Sequence, residues 1–202
     1  DIYIRSYNYL GVYVYRTIVP GMSEIYPVDD LVYNNTNLGI DFQDALLSLP
    51  DTDETEETYE SYLQELENEE FDNDTNVCAL LGVLPDEKSS WENLRMGELK
   101  CLVALAAKNY EAASEYAKWT LLYNNESMSL ENRAFYQCII KITDCLTTGS
   151  LKLEDYIDGL KLLYGEKTVE NALDHIEGRK RFNNLVGSDL NMKSFTAHQE
   201  LI

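Results

Sequence analysis

The sequence predicts a mainly α-helical protein: a short β-hairpin followed by antiparallel helical repeats. Three observations predict it. Strand-like runs occur only before Pro20. From Phe42 onward apolar residues return at spacings of three and four, the period of a helix with one buried stripe. Tight turns join the helical runs at similar intervals, as in stacked helix pairs. The chain has 202 residues, 45% of them apolar, which suffices for a packed core and argues against disorder.

The clearest strand is "YLGVYVYRTIV", residues 9–19. Leu10, Val12, Val14 and Ile18 point one way; Tyr9, Tyr13, Tyr15 and Val19 point the other. Both faces are apolar, so both are expected to be covered. Pro20-Gly21 ends the strand, because proline cannot donate to the ladder and glycine accepts positive φ. Residues 2–4 are the expected hairpin partner, turning through Ser6-Tyr7-Asn8. Two strands alone are marginally stable, so the rest of their sheet is expected outside this sequence.

The helices follow in order. Residues 42–49 form a short one, with Asp41 as its expected N-cap and Pro50 just beyond its end. Tyr59, Tyr62, Leu63 and Leu66 mark a helix over 56–69 with a strongly acidic back. A shorter apolar helix spans 77–83 and closes at Leu84-Pro85. Ser90 is expected to cap a long helix with Trp91, Leu94, Leu99, Leu102, Leu105 and Ala106 on one face. After the turn Lys108-Asn109, the next helix is apolar on two sides, with Tyr110, Ala113, Ala117, Thr120 and Leu121 on one and Ala112, Tyr116, Trp119 and Tyr123 on the other. Such a helix must be sandwiched between neighbours. Asn124-Asn125 ends it. Further helices are expected over 130–146, broken by Thr148-Gly149-Ser150, over 153–164 with Gly165 as C-cap, over 167–176, and from about Ser194. The segment "LKCLVALAAKNYEAASEYAKWTLLYNN", residues 99–125, resembles a tetratricopeptide repeat. Small Cys101 lies where the two helices cross, Asn109-Tyr110 forms the turn and Ala113 packs back. Thr120 stands at the usual small position, and Asn125 replaces the closing proline.

The formal charge of −20 is concentrated. Residues 17–87 hold 19 acids and no lysine or arginine, while the remaining 17 acids face 16 bases. This field rejects nucleic acid, whose phosphates need clustered cations, and disfavours anionic membrane surfaces. It attracts basic partners, or serves as a solvated, solubilising segment. No run approaches the ~20 apolar residues of a membrane span. Cys78, Cys101, Cys138 and Cys145 form no Cys-x-x-Cys pair and sit in apolar contexts, so they read as buried free thiols in a reducing compartment. Asn34, Asn73 and Asn125 open Asn-x-Ser/Thr triplets that read as chance matches. No phosphate loop, nucleophile elbow or His-Glu-x-x-His is present. The acidic runs lack the glycine and twelfth-position ligand of a calcium loop; Val83 stands where the glutamate belongs if Asp72 opens it. His175 and His198 read as cap or core-edge residues.

The stretch "LGVYVYRTIVPGMSEIYPVDDLVYNN" closely resembles the junction between the ATPase domain of the YcaO family and its C-terminal extension. "LLSLP" at 46–50 is similar to the helix after that junction, "LRMGELKCLVAL" to the first long helix of the extension, and "FTAHQELI" at 195–202 to the start of its terminal helix. The blocks occur in order and point to the subgroup accessory to ribosomal-protein methylthiolation. The resemblance implies that residues 1–35 are terminal strands of a truncated α/β ATPase domain and its junction, 36–88 an acidic helical linker region, and 89–202 a tetratricopeptide-like helical domain. The chain opens at Asp1 and stops inside a helical run, and is expected to be part of a longer protein. ATP and magnesium belong, in this reading, to the upstream domain, and no catalytic, cofactor-binding or metal residue carries over to this region. The parent is expected to assist β-methylthiolation of an aspartate in a small-subunit ribosomal protein, in the cytoplasm. The region itself is expected to be a non-catalytic scaffold that forms a homodimer through Tyr116, Trp119, Tyr123 and Phe135. The methylthiotransferase enzyme is a further expected partner. The alternatives are an acidic adaptor for a basic protein, such as the ribosomal substrate, and an independent enzyme using the carboxylate cluster.

Overall fold

The computed structural model describes residues 3–9, 12–19, 39–124, 128–149, 152–188 and 192–200. Strands β1 (Tyr3–Tyr9) and β2 (Val12–Ile18) pair antiparallel, with Tyr3 opposite Ile18 and Tyr9 opposite Val12. This register corrects two expectations. Ser6, Tyr7 and Asn8 do not turn; they pair with Tyr15, Val14 and Tyr13, and the two-residue connection at 10–11 lies outside the described residues. The longer ladder satisfies more backbone groups than a turn at 6–8 allows. The second correction concerns burial. Val14 is 53% exposed and Tyr15 65%, and successive strand residues point to opposite faces, so neither face is covered at this point. The expected terminator Pro20-Gly21 lies outside the described residues.

Nine α-helices follow among the described residues. Helix α1 (Gln43–Ser48) lies between 3-10 turns at Ile40–Phe42 and Leu49–Asp51. Its N-cap is Phe42 rather than Asp41, which sits inside the first turn. That turn is pinned by backbone bonds, Gly39 N–H to the Leu80 carbonyl (3.0 Å) and Phe42 N–H to Gly39 (2.9 Å), so the helix starts one residue late. Pro50 lies within the second 3-10 turn, where its missing N–H costs little. Helix α2 (Glu56–Asn68) is capped by Thr55 and α3 (Val77–Leu81) by Asn76, each side chain accepting a backbone N–H.

Helix α4 (Met96–Ala106) begins six residues after Ser90. Trp91 and Leu94 are buried as expected, but in turns rather than on the helix. The reason is local. Met96 N–H and Gly97 N–H donate to the carbonyls of Thr75 and Asn73, both at 2.9 Å, so the preceding turn satisfies the helix's first amides. Ser90 instead donates its hydroxyl to the Asn184 carbonyl at 3.1 Å. Helix α5 (Tyr110–Tyr123) is capped by Asn109, and α6 (Leu130–Thr148) by Ser129. Gly149 stops α6 at φ +58°, a left-handed conformation that glycine adopts without penalty. The helix expected over 153–164 is split at Tyr156 into a 3-10 turn, Leu153–Asp155, and α7 (Ile157–Tyr164). Helices α8 (Glu166–Ile176) and α9 (Thr196–Gln199) complete the order.

A continuous apolar core runs from Leu46 to Phe195. Helix α4 is its axis: all eleven of its residues are buried. Helix α5 returns antiparallel beside it, with the Cys101 thiol 3.4 Å from the Ala113 carbonyl and Trp119 over Gly97. A Cβ at Gly97 would overlap the Trp119 ring, so this crossing requires glycine. Helix α6 packs on the other side of α5. Tyr59, Leu63 and Leu66 of α2 join the same core, while Glu57, Glu65 and Glu67 face solvent. All four cysteines are buried, and none is in a disulfide.

Candidate functional site: a buried polar array between two clefts

The four residues singled out by sequence occupy different environments. Trp119 is half-buried and stacks on Tyr123, with ring centroids 5.2 Å apart. Tyr123 is 65% exposed and its neighbour Leu122 71%. Tyr116 is half-buried; its hydroxyl donates to Glu67 at 2.6 Å, and Lys100 Nζ lies 5.8 Å from its ring centroid. Phe135 belongs to the core, edge-on to Tyr136 at 5.1 Å and to His175 at 5.0 Å. The fold thus brings Trp119 and Tyr123 together at the surface and directs Phe135 inward.

A second constellation was not foreseen from the sequence. Because α4 is apolar on every side, its two charged residues are carried into the core: Glu98 is 8% exposed and Lys100 4%. Glu98 accepts hydrogen bonds from the Tyr136 hydroxyl (2.8 Å) and the Asn124 amide (3.1 Å). The Asn183 side chain acts on the Tyr136 hydroxyl as well, favouring its ionised form against the effect of burial. The Asn183 backbone N–H donates to His175 Nε2 at 3.1 Å, which leaves the ring proton on Nδ1, donating to the Asn171 carbonyl at 2.7 Å. Asn171 closes the loop by donating its amide to Asn183 Oδ1 at 3.1 Å. The array joins α4, the end of α5, α6, α8 and the loop after α8.

Burial sets its protonation. It pushes the Glu98 carboxyl above its ordinary range, against the opposing hydrogen bonds of Tyr136 and Asn124. Burial raises the Tyr136 phenol well above its ordinary value and lowers the His175 imidazole, favouring the neutral ring. Lys100 is shifted downward by burial and donates over long bonds to the Phe71 carbonyl (3.4 Å) and Asn73 Oδ1 (3.3 Å).

One end of the array is a strained turn. Phe182, Asn183 and Asn184 are consecutive residues with φ of 55°, 31° and 70°. Left-handed conformations cost about 1–2 kcal/mol per L-residue, least for asparagine. The turn is held by Phe182 packed on Tyr59 (5.9 Å between centroids), by Leu185 N–H to the Phe182 carbonyl (2.8 Å) and by Trp91 Nε1–H to the Val186 carbonyl (2.9 Å).

Clefts open at both ends. A polar one of about 360 Å³ reaches Glu98 and Asn124 and is walled by residues 88–90 and 92–94 and by Met128, Ser129 and Asn132. A second, of about 240 Å³, is lined by Asn171, Asn183 and the Asp174–Lys180 ion pair. A separate apolar groove of about 420 Å³ lies between α6 and α7, with Tyr156, Leu160 and Leu163 on its walls. Among the described residues no three His, Cys, Asp or Glu are grouped to hold a metal ion. Burial pushes the thiols of Cys78 and Cys138 up to about 12 and about 11, so neither supplies thiolate at neutral pH. Of the two histidines, His175 sits in the core and His198 Nδ1 accepts the Leu84 N–H at 3.1 Å. The signal for Glu98 was present in the sequence: "MGELKCLVALA" places one acid and one base in a run with no polar face.

Among the described residues, no helix is long and apolar enough to cross a membrane. Comparison with known proteins places these features in a family. The family model described as YcaO cyclodehydratase C-terminal domain matches residues 39–202. Over its full length the chain is 38% identical to an uncharacterised protein of Haemophilus influenzae, of which it covers 35%. It is 35% identical to the Escherichia coli K12 protein named ribosomal protein S12 methylthiotransferase accessory factor YcaO, of which it covers 34%. The chain therefore spans about a third of the length of the curated relatives it matches. With a match over residues 39–202 and an all-helical core over the same span, the chain belongs to the YcaO cyclodehydratase C-terminal domain family.

Proposed function

We propose that this chain is the non-catalytic scaffold and dimerisation region of a longer YcaO-type protein that uses ATP. The observation that carries the reading is the aromatic end of α5. Leu122 and Tyr123 are 71% and 65% exposed beside the half-buried Trp119, an apolar patch that no element among the described residues covers. Tyr116 flanks it one turn earlier, while Phe135 lies in the core against Tyr136 and His175. In this reading the α4–α5 hairpin is a tetratricopeptide-like unit, with Cys101 and Ala113 at its crossing. The exposed faces of the β1–β2 hairpin favour its belonging to a larger sheet of the ATPase domain. ATP and magnesium act in that domain, and the whole protein, like its Escherichia coli relative by name, assists methylthiolation of a ribosomal protein in the cytoplasm.

Light scattering after size-exclusion chromatography tests the reading. The chain is expected to run as a dimer and a Leu122→Glu, Tyr123→Ser double variant as a monomer. A wild-type monomer at high micromolar concentration overturns it. The region is also expected to hydrolyse no ATP above background.

The acidic exterior of α2 supports a second reading, an adaptor for a basic partner. Glu57, Glu65, Glu69 and Glu70 are all exposed on and just after that helix. Steep loss of partner binding with added salt favours this reading; salt-insensitive self-association favours the first.

A further inference from the structure

Glu98 is a buried carboxylate whose two hydrogen-bond donors, Tyr136 and Asn124, are both neutral. No ion pair to it is present among the described residues. Burying a carboxylate without a counter-charge is costly, and such a group is stabilised by whatever cation reaches it. A cleft of about 360 Å³ leads from the surface to Glu98. Its walls carry several acceptors beside one cation of the chain, Lys88. The Ser89 hydroxyl is shielded from solvent and makes no hydrogen bond, and the exposed Asn93 and half-buried Asn132 add amide oxygens. Glu92 on the same wall accepts the Lys88 N–H at 2.8 Å, which fixes the wall's shape.

We propose that this cleft binds one ammonium group, of the kind carried by a lysine side chain or a small alkylamine, with Glu98 as its counter-charge.

The chemistry of the walls selects that ligand. An anion is repelled by Glu98, and an apolar group leaves the wall oxygens without partners. A guanidinium binds best as a planar fork on both oxygens of an unencumbered carboxylate, but here Tyr136 and Asn124 already take one lone pair on each oxygen. A metal ion needs more ligands than the described residues group there. An ammonium is a compact charge with three donors, which suits a lone pair left free on either carboxylate oxygen and neighbouring hydroxyl and amide oxygens. The site meets the end of α5 at Asn124, next to the patch. Its readout, amine binding at Glu98, is separate from oligomeric state, so failure of one reading is distinguishable from failure of the other.

The test is an NMR titration of the whole chain with n-butylammonium, with n-butanol as the neutral control and a capped Gly-Lys-Gly peptide as a third arm. Saturable shifts are expected at Asn124, Ser129 and Asn132 with the amine and not with the alcohol. Stronger binding of the peptide assigns a protein lysine as the ligand; equal binding assigns a free amine. Glu98→Gln is expected to weaken binding about tenfold or more. Should that variant fail to fold, Asn93→Lys on the exposed rim supplies a tethered ammonium, and is expected to raise the melting temperature and abolish the response to butylammonium. No saturable shift in the wild type, equal shifts with butanol, or an undiminished response in folded Glu98→Gln overturns the proposal.

Discussion

Helices α4 and α7 are both rich in leucine, yet the fold treats them oppositely. Every residue of α4 is buried, including a glutamate and a lysine. In α7 only Leu160 is buried, while Leu162 is 88% exposed and Leu163 74%. The difference is one of neighbours. Helix α4 touches α2, α5 and α8, which surround it; α7 rests on α6 and α8 by one stripe. Apolar composition therefore marks what a helix is able to bury, and position in the stack decides what it does bury. The same position makes the polar residues of α4 chemically unusual and leaves leucines of α7 bare.

The largest expected effect tests this contrast directly. Leu102→Ala in α4 removes a side chain that is 2% exposed and leaves a cavity where the surrounding helices cannot easily collapse. A loss of about 2–5 kcal/mol is expected in urea unfolding. Next comes Gly97→Val. Any Cβ there meets the Trp119 ring, so α4 and α5 must separate, at about 1–3 kcal/mol. A cost near zero for either variant would mean that α4 is not the axis of the core.

The polar array gives an effect of intermediate size with a definite sign. The Glu98 carboxyl titrates above its ordinary value in the folded state. The stability linked to its protonated form is fully present below the unfolded value of about 4.5 and is lost as pH rises through the folded value. Glu98→Gln removes that loss. The variant's stability relative to wild type is therefore expected to increase from pH 4 to pH 7, by no more than about 1.4 kcal/mol per pH unit. His175 acts in the opposite direction. Its folded value is lowered, mainly by burial, so stability is lost as pH falls below about 6.5, where the unfolded chain takes the proton first. Its ring carbon shifts are expected to remain those of neutral imidazole at pH 6.

How much of this was legible in the sequence follows from which interactions are local. Helix periods fixed the positions of α2, α5, α6 and α8 to within a residue or two, because apolar stripes and side-chain caps such as Thr55, Asn109 and Ser129 are properties of short segments. The start of α4 was missed because its first amides bond to the carbonyls of Asn73 and Thr75, some twenty residues away, which no local pattern encodes. The hairpin register was missed because β2 is apolar on both faces and β1 mixes Arg5, Ser6 and Asn8 with its tyrosines, so the pair lacks the clean alternation that pins a register. Of the candidate site, the aromatic face of α5 was visible. The array was not, since it joins Glu98, Asn124, Tyr136, His175 and Asn183 across four helices and a loop. What could be read was that charged residues inside an all-apolar helix must find buried partners.

The smallest expected effect closes the contrast between α4 and α7. Leu162→Ser replaces a side chain that is already 88% exposed, so folding removes little of it from water and the stability change is expected to stay within about 0.5 kcal/mol. Serine has a somewhat lower helix propensity than leucine, which accounts for most of what is lost. Leu102→Ala and Leu162→Ser, measured side by side, thus separate the value of a leucine at the axis from one at the rim. If Leu162→Ser cost as much as Leu102→Ala at every protein concentration, α7 would have to be packed within the monomer, contrary to its exposure. If it cost more only at high concentration, the exposed leucines of α7 would be covered by another copy of the chain, and the self-association surface would extend from the end of α5 to α7.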